Sequence, residues 1–239
     1  MRKITVLIIL AVIITTSFAY SFQLELISKE QEIQIGKDAA SQIESEYGTV
    51  NNAAQLAKIN KIGKKIVTVC DRRDLPYSFK ILNTDQVNAI CCPGGFIYVT
   101  KGLMNLKLSD DELACVLAHE ITHAVKRHAV NQITATMGVG VLLDLVTKGQ
   151  ASQQLSGQVV QLLLTRGHSR DDEYDADLTG ATYAFYAGYN PYGMIYFLQE
   201  LNKLEKSNPT FLDQFIATHP PNNDRIARLK PLCKSLTGK

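Results

Sequence analysis

Neither sign of charge dominates this chain. Its 25 lysines and arginines against 23 aspartates and glutamates leave a formal net charge of +2. Loss of Arg2 and Lys3 with an N-terminal leader takes that to 0 (+2 − 2), so no electrostatic case for a nucleic-acid partner remains. Cysteine is sparse too. Cys70, Cys91, Cys92, Cys115 and Cys233 are odd in number and show no disulfide-scaffold spacing, so at least one thiol is free or pairs between chains. The adjacent Cys91-Cys92 read as small hydrophobes packed in a strand rather than as a redox or metal pair. There is no internal repeat and no low-complexity tract. Beyond the N-terminus, the apolar stretches within residues 135–166 (Val139–Leu143 and Val159–Leu164) are too short to span a membrane. They predict a helical hairpin packed on the core, with a flap or partner surface as the alternative.

The one long apolar run is N-terminal. Arg2-Lys3 precede Ile4–Ala19, and Ser17-Phe18-Ala19 offers a small-x-small cleavage site, so residues 1–19 read as a signal peptide that sends the chain to the bacterial periplasm. No cysteine lies near that site, which argues against lipoprotein processing. The charge-free stretch Ile4–Leu24 has the length of an uncleaved anchor, about 20 residues. The cleavage site and the hydroxyl residues before it favour removal. Residues 20–239 then suit one compact domain.

Histidine is scarce, with five in the chain, and three of them fall within Ala118–His128. His119-Glu120-Ile121-Thr122-His123 is an H-E-x-x-H run in a helical stretch. Residues four apart on an α-helix lie roughly 40° apart around the axis, so both imidazoles leave one face and make half of a tetrahedral zinc site. Glu120 leans beside them, where a carboxylate can take a proton from a metal-bound water whose pKa zinc lowers to about 7. The plain alternative is a surface helix that happens to carry two histidines. Its context argues otherwise. Ser109-Asp110-Asp111-Glu112 fits a capping box, and Leu113, Val116, Leu117, Ile121, Ala124 and Val125 recur at spacings of three and four, the mark of a largely buried helix. Lys126, Arg127 and His128 read as its exposed C-terminal end, with His128 complementing the helix dipole.

A catalytic zinc site needs a third protein ligand. The acidic segment Ser169–Asp177 is the best supply. Asp171 and Asp172 follow a plausible N-cap, Ser169, where carboxylates favour the helix N-terminus. That account weakens at Glu173 and does not reach Asp177, one turn further along the same face. Glu173 is therefore the economical third ligand, and Asp177 an acceptor for a ligand histidine N–H that fixes its tautomer.

The chain resembles the M48 family of zinc metallopeptidases, specifically its single-domain bacterial periplasmic members. The matching segments run in order: Glu30-Gln31-Glu32 with Ile35-Gly36, Asn88-Ala89, Pro93–Val99, the H-E-x-x-H run, Ser169–Asp177 with Gly180, Ala187–Pro191, and Thr218-His219-Pro220-Pro221. Ile90-Cys91-Cys92 departs from the apolar residues usual there. The resemblance implies one zinc ion per chain on His119, His123 and Glu173, with Glu120 as general base and Asp177 orienting a ligand histidine. It places Asn88 and Ala89 on a substrate-binding sheet edge, though an ordinary turn before a strand is the competing reading. It also puts His219, with Arg225 six residues on, near the active site. His219 could occupy the metal's open position or donate to substrate, and Arg225 joins the substrate-binding candidates.

Helices are predicted over 28–46 and 51–70, and strands at Phe79–Leu82, Val87–Cys91 and Phe96–Val99. The remainder reads as helix broken at Gly167, Gly188–Pro191 and Pro220-Pro221. This is an α+β fold, mostly helical and zincin-like, with a small sheet beside the motif helix. The expected function is a zinc endopeptidase acting on misfolded or envelope proteins in the periplasm. Unfolded or misfolded proteins are its expected partners, with peripheral association to membrane or outer-membrane assembly machinery. The alternative is a periplasmic chaperone or assembly factor for outer-membrane proteins with secondary protease activity.

Overall fold

Ser28 starts the first helix, α1 (Lys29–Tyr47), by a reciprocal capping box with Gln31, and Gly48 ends it. Ile35, Ala39 and Ile43 form its buried stripe. Asn52 caps α2 (Ala53–Val67), which buries Ile59, Ile62 and Ile66 at helical spacing. The computed structural model describes residues 27–138, 140, 153–165, 167–207, 209–219 and 223–238. The leader read at 1–19, the centre of the expected hairpin and Pro220-Pro221 lie outside the described residues.

Three short strands follow: β1 (Ser78–Leu82), β2 (Ala89–Cys92) and β3 (Phe96–Thr100). Their order is β1-β3-β2, with β1 parallel and β2 antiparallel to β3, so β2 is an edge. The turn Pro93-Gly94-Gly95 reverses the chain between β2 and β3, with φ of 77° and 89° at the two glycines, a region that side chains disfavour. All four residues of β2 are buried, Cys91 and Cys92 among them. The five cysteines are free and buried, in keeping with packing rather than cross-linking.

The rest is helical: α3 (Lys101–Asn105), α4 (Asp110–Val125), α5 (His128–Met137), α6 (Gln153–Thr165), α7 (Arg170–Tyr186), α8 (Gly193–Ser207), α9 (Asp213–Thr218) and α10 (Asn223–Thr237). The mostly helical α+β architecture with its sheet beside the motif helix is the one expected. A break at Pro209–Leu212, a short 3-10 turn, was not foreseen. The motif helix, α4, has the foreseen capping box between Ser109 and Glu112. Every residue from Leu113 to Ala124 is buried, because α2, α7, α8 and β2 all pack on it. A second apolar cluster lies under α1 and α6, against the side chains of Leu82, Ile90, Cys92 and Tyr98.

The C-terminal end of α4 differs from expectation. The helix stops at Lys126, and Arg127 enters the left-handed region (φ 58°), which swings the chain into α5. Glu32, fully buried on α1, holds that corner. It accepts two hydrogen bonds from the Arg72 guanidinium at 3.0 and 2.9 Å, pairs with Arg127 Nε at 3.1 Å and accepts from Gly94 N–H at 3.3 Å. Arg72 also donates to the Ala124 carbonyl at 2.9 Å, at the end of α4.

The contact between α4 and α7 is closest at Gly180. A Cβ there would lie 2.9 Å from His119 N and 3.0 Å from Ala118 C, both main-chain atoms that cannot rotate away. Gly180→Ala should therefore separate the helices and destabilise the fold by about 1–3 kcal/mol. Thermal melting checks this, and an unchanged midpoint would show that the helices have room to spare.

Candidate active site

His119 and His123 leave the same face of α4 with their Nε2 atoms 3.0 Å apart. Glu173, carried in by α7, places Oε2 3.5 Å from His119 Nε2 and Oε1 3.4 Å from His123 Nε2. His219, just after α9, brings Nδ1 to 3.0 Å from Glu173 Oε1. One donor atom from each of these four buried residues lies within 4.8 Å of the others. Glu120 is beside them, its Oε1 3.6 Å from His219 Nε2 and its Oε2 without a hydrogen-bond partner among the described residues.

The donor chemistry fits a cation. His119 Nδ1 lies 3.0 Å from Asp177 Oδ1, and a carboxylate only accepts, so the proton of a neutral His119 resides on Nδ1. Its Nε2 lone pair then points at the other inward-facing groups. Burial alone disfavours charge on His119, yet Glu173 and Asp177 outweigh it and push its pKa up to about 10. Burial likewise opposes ionisation of Glu173, but His219 and His119 hold its carboxyl well below the ordinary range. Burial, and His168 beside it, instead hold His123 well below its ordinary value, so the carboxylates favour positive charge at His119 but not at His123. Glu120 behaves differently: burial raises its pKa above the ordinary value against the opposing pull of His219 and His119, a shift toward the range useful to a proton-transfer group at neutral pH.

Asp177 is itself held by Arg225, whose Nε and Nη2 reach its two oxygens at 2.6 Å each. Arg225 Nη1 lies 3.0 Å from Glu173 Oε2. Expected at the substrate, Arg225 instead sits behind the cluster, only 2 % exposed, with its fork directed to two carboxylates. Asn88 is fully buried. Its Oδ1 accepts from Thr218 Oγ1 at 3.2 Å, which ties the start of β2 to the His219 segment, while Nδ2 has no partner among the described residues. The Ala89 carbonyl is 3.4 Å from His219 Nε2, so the β2 edge meets the cluster there.

Two histidines stand where the sequence did not suggest them. His128, expected on the surface, is buried and its Nδ1 lies 2.9 Å from His123 Nδ1. His168 stacks on His123 with ring centroids 3.8 Å apart and planes 16° from parallel. Its backbone N–H donates to the Thr218 carbonyl at 3.3 Å, joining the entry of α7 to the His219 segment. All five histidines of the chain therefore belong to one cluster. The scarcity of histidine was the available signal for His168, which directly precedes the Ser169 cap.

The sequence that builds this arrangement has known relatives. Residues 53–232 match the profile of peptidase family M48, a span that contains His119, Glu120, His123, Glu173, Asp177 and His219. The chain belongs to peptidase family M48. Among its curated M48 relatives, it is 29% identical over 211 residues to the mitochondrial metalloendopeptidase OMA1 of Schizosaccharomyces pombe, covering 85% of this chain and 61% of that protein. It is 27% identical over 218 residues to the beta-barrel assembly-enhancing protease of Yersinia pestis, covering 84% of this chain and 43% of that one. The metalloprotease YcaL of Escherichia coli (strain K12) is 28% identical over 206 residues, covering 83% and 74%. The chain thus spans only part of the length of several relatives it matches. Helix α1 lies ahead of the M48 match, although its Glu32 supports the end of α4.

Arg225 offers a direct check on the electrostatics. Arg225→Met leaves Asp177 and Glu173 without their guanidinium while keeping the packed stem, and breaking such a buried pair costs about 3–5 kcal/mol. Urea unfolding of the metal-free protein measures it. A change below about 1 kcal/mol, the range of exposed ion pairs, would mean that the carboxylates find other compensation.

Proposed function

We propose that this chain is a zinc-dependent endopeptidase that hydrolyses peptide bonds in misfolded or envelope proteins. The observation that carries the reading is the convergence of His119, His123 and Glu173 beside the unpartnered carboxylate oxygen of Glu120. One zinc ion held by those three residues would supply a Lewis acid for the scissile carbonyl and a lowered pKa for the attacking water. Glu120 takes the water's proton and returns it to the leaving amine. Asp177, clamped by Arg225, keeps the His119 proton on Nδ1 and leaves Nε2 available as a ligand. An extended peptide would run along the edge of β2 at Asn88-Ala89, bound through backbone hydrogen bonds that ignore side-chain identity.

Residues 1–19 act in this reading as a signal peptide, and residues 20–239 as one periplasmic peptidase domain. Among the described residues, no helix is long and apolar enough to cross a membrane. The likeness to a beta-barrel assembly-enhancing protease of Yersinia pestis favours a second reading, a factor that assists outer-membrane protein assembly and cleaves only secondarily. Binding alone has no use for a buried, base-like Glu120, so the peptidase reading is preferred.

Zinc analysis joined to a casein digest tests the assignment. Glu120→Gln should keep zinc and lose hydrolysis by about 10²–10⁴-fold or more, since its carboxylate serves the proton and not the metal. Glu173→Ala should lose the metal itself. Wild-type turnover in Glu120→Gln, or full zinc content in Glu173→Ala, reassigns the roles.

His219 restrains the resting enzyme in this scheme. It stands between Glu173, Glu120 and the Ala89 carbonyl, where its imidazole would fill the position that a metal-bound water needs. His219→Ala should then raise peptidase activity with zinc still bound. A donor to the transition-state oxyanion would give the opposite sign, a fall in kcat of about 10²–10³-fold, so one kinetic comparison separates them.

A further inference from the structure

Metal-binding histidines almost always pass their second ring proton to a carboxylate, a backbone carbonyl or water. His119 follows that rule through Asp177, but His123 has a different partner. Its Nδ1 faces His128 Nδ1 at 2.9 Å. The far side of that ring, His128 Nε2, lies 3.4 Å from Asp172 Oδ1 and 3.7 Å from Asp175 Oδ2, both on α7. Each of these carboxylates is anchored by other bonds. Asp172 Oδ2 accepts from Ser169 N and Oγ at 3.2 and 2.7 Å, and Asp175 Oδ1 accepts from Thr179 Oγ1 at 3.0 Å. Lys126 Nζ also approaches Asp175 Oδ2, at 3.3 Å.

We propose that His128 is a positioning residue for the metal centre, an imidazole relay that fixes the orientation and tautomer of His123. This rests on the reading of His123 as a zinc ligand through Nε2. With Nε2 given to the metal, the proton of a neutral His123 sits on Nδ1, and His128 Nδ1 is the acceptor within reach. A neutral His128 then carries its own proton on Nε2, toward the Asp172 and Asp175 carboxylates. The donors and acceptors agree along the whole row, from metal position to α7. The left-handed turn at Arg127 makes this possible. On an uninterrupted helix, a residue five positions on would point roughly 140° away from His123. His168 stacks on the face of the same His123 ring, so it is held in tilt as well as at its edge.

The test compares His128→Leu, which removes the acceptor at similar bulk, with His128→Asn, whose Oδ1 stands near the place of Nδ1. His128→Ala replaces the leucine variant should that one fail to fold, as judged by melting of the metal-free protein. Zinc affinity is read by competition with a chromogenic chelator. The leucine or alanine variant should bind zinc about 10–100-fold more weakly, and the asparagine variant should recover most of that loss. In wild-type protein carrying nitrogen-labelled histidine and loaded with zinc, the His123 Nδ1 signal should be protonated and coupled across the hydrogen bond to an unprotonated His128 Nδ1. Equal zinc affinity in wild type and the leucine or alanine variant, or a proton residing on His128 Nδ1, overturns the relay. Wild type that binds no zinc overturns the metallopeptidase reading with it, a result distinguishable from either.

Discussion

Everything at the centre of this molecule depends on how closely α4 approaches α7. At Gly180 the two helices touch main chain to main chain, and no side chain holds them apart. That closeness lets Glu173, a short distance up α7, reach two imidazoles that project from α4. It also lets Asp177, one turn further, meet the other side of His119. A wider interface would leave those carboxylates buried and without partners, which is among the costlier errors a fold can carry. The demand for a tight helix pair and the demand for partners to its buried carboxylates are therefore the same demand.

Charge is distributed around this contact in layers. The innermost layer holds lone pairs and a carboxylate that favour a cation. Behind it, Asp177 is neutralised by Arg225, which also reaches Glu173. At the end of α4, the buried Glu32 pairs with two half-buried guanidiniums, those of Arg72 and Arg127. Glu32, Glu173 and Asp177 each have an opposite neighbour, the condition under which ion pairs survive in a low-dielectric interior. The α1 helix contributes Glu32 from outside the span of the family match, so the environment of the centre extends further along the chain than the family profile does.

Much of this was legible in the sequence. Ser109-Asp110-Asp111-Glu112 marked the start of α4, because capping acts locally, and the apolar spacing behind it marked its buried length. His119, His123 and Glu173 stood out by residue type and spacing, and the structure brings them together with His219. Arg225 and His128 were misplaced for one reason. Their surroundings are set by segments far away in the chain, Asp177 for one and the Glu32-held turn at Arg127 for the other. A periodic reading extends a helix until a breaker appears, and Lys126-Arg127-His128 contains none. His168 escaped because a residue before a helix cap has no periodicity to reveal its direction.

The gathering of all five histidines has a practical side. In most proteins of this size, imidazole signals are scattered among surface positions and must be sorted before any can be used. Here each imidazole resonance in a spectrum originates within the one cluster, and reagents selective for imidazole have no other address. The protein carries its own spectroscopic label, few in number by composition and gathered into one place by the fold.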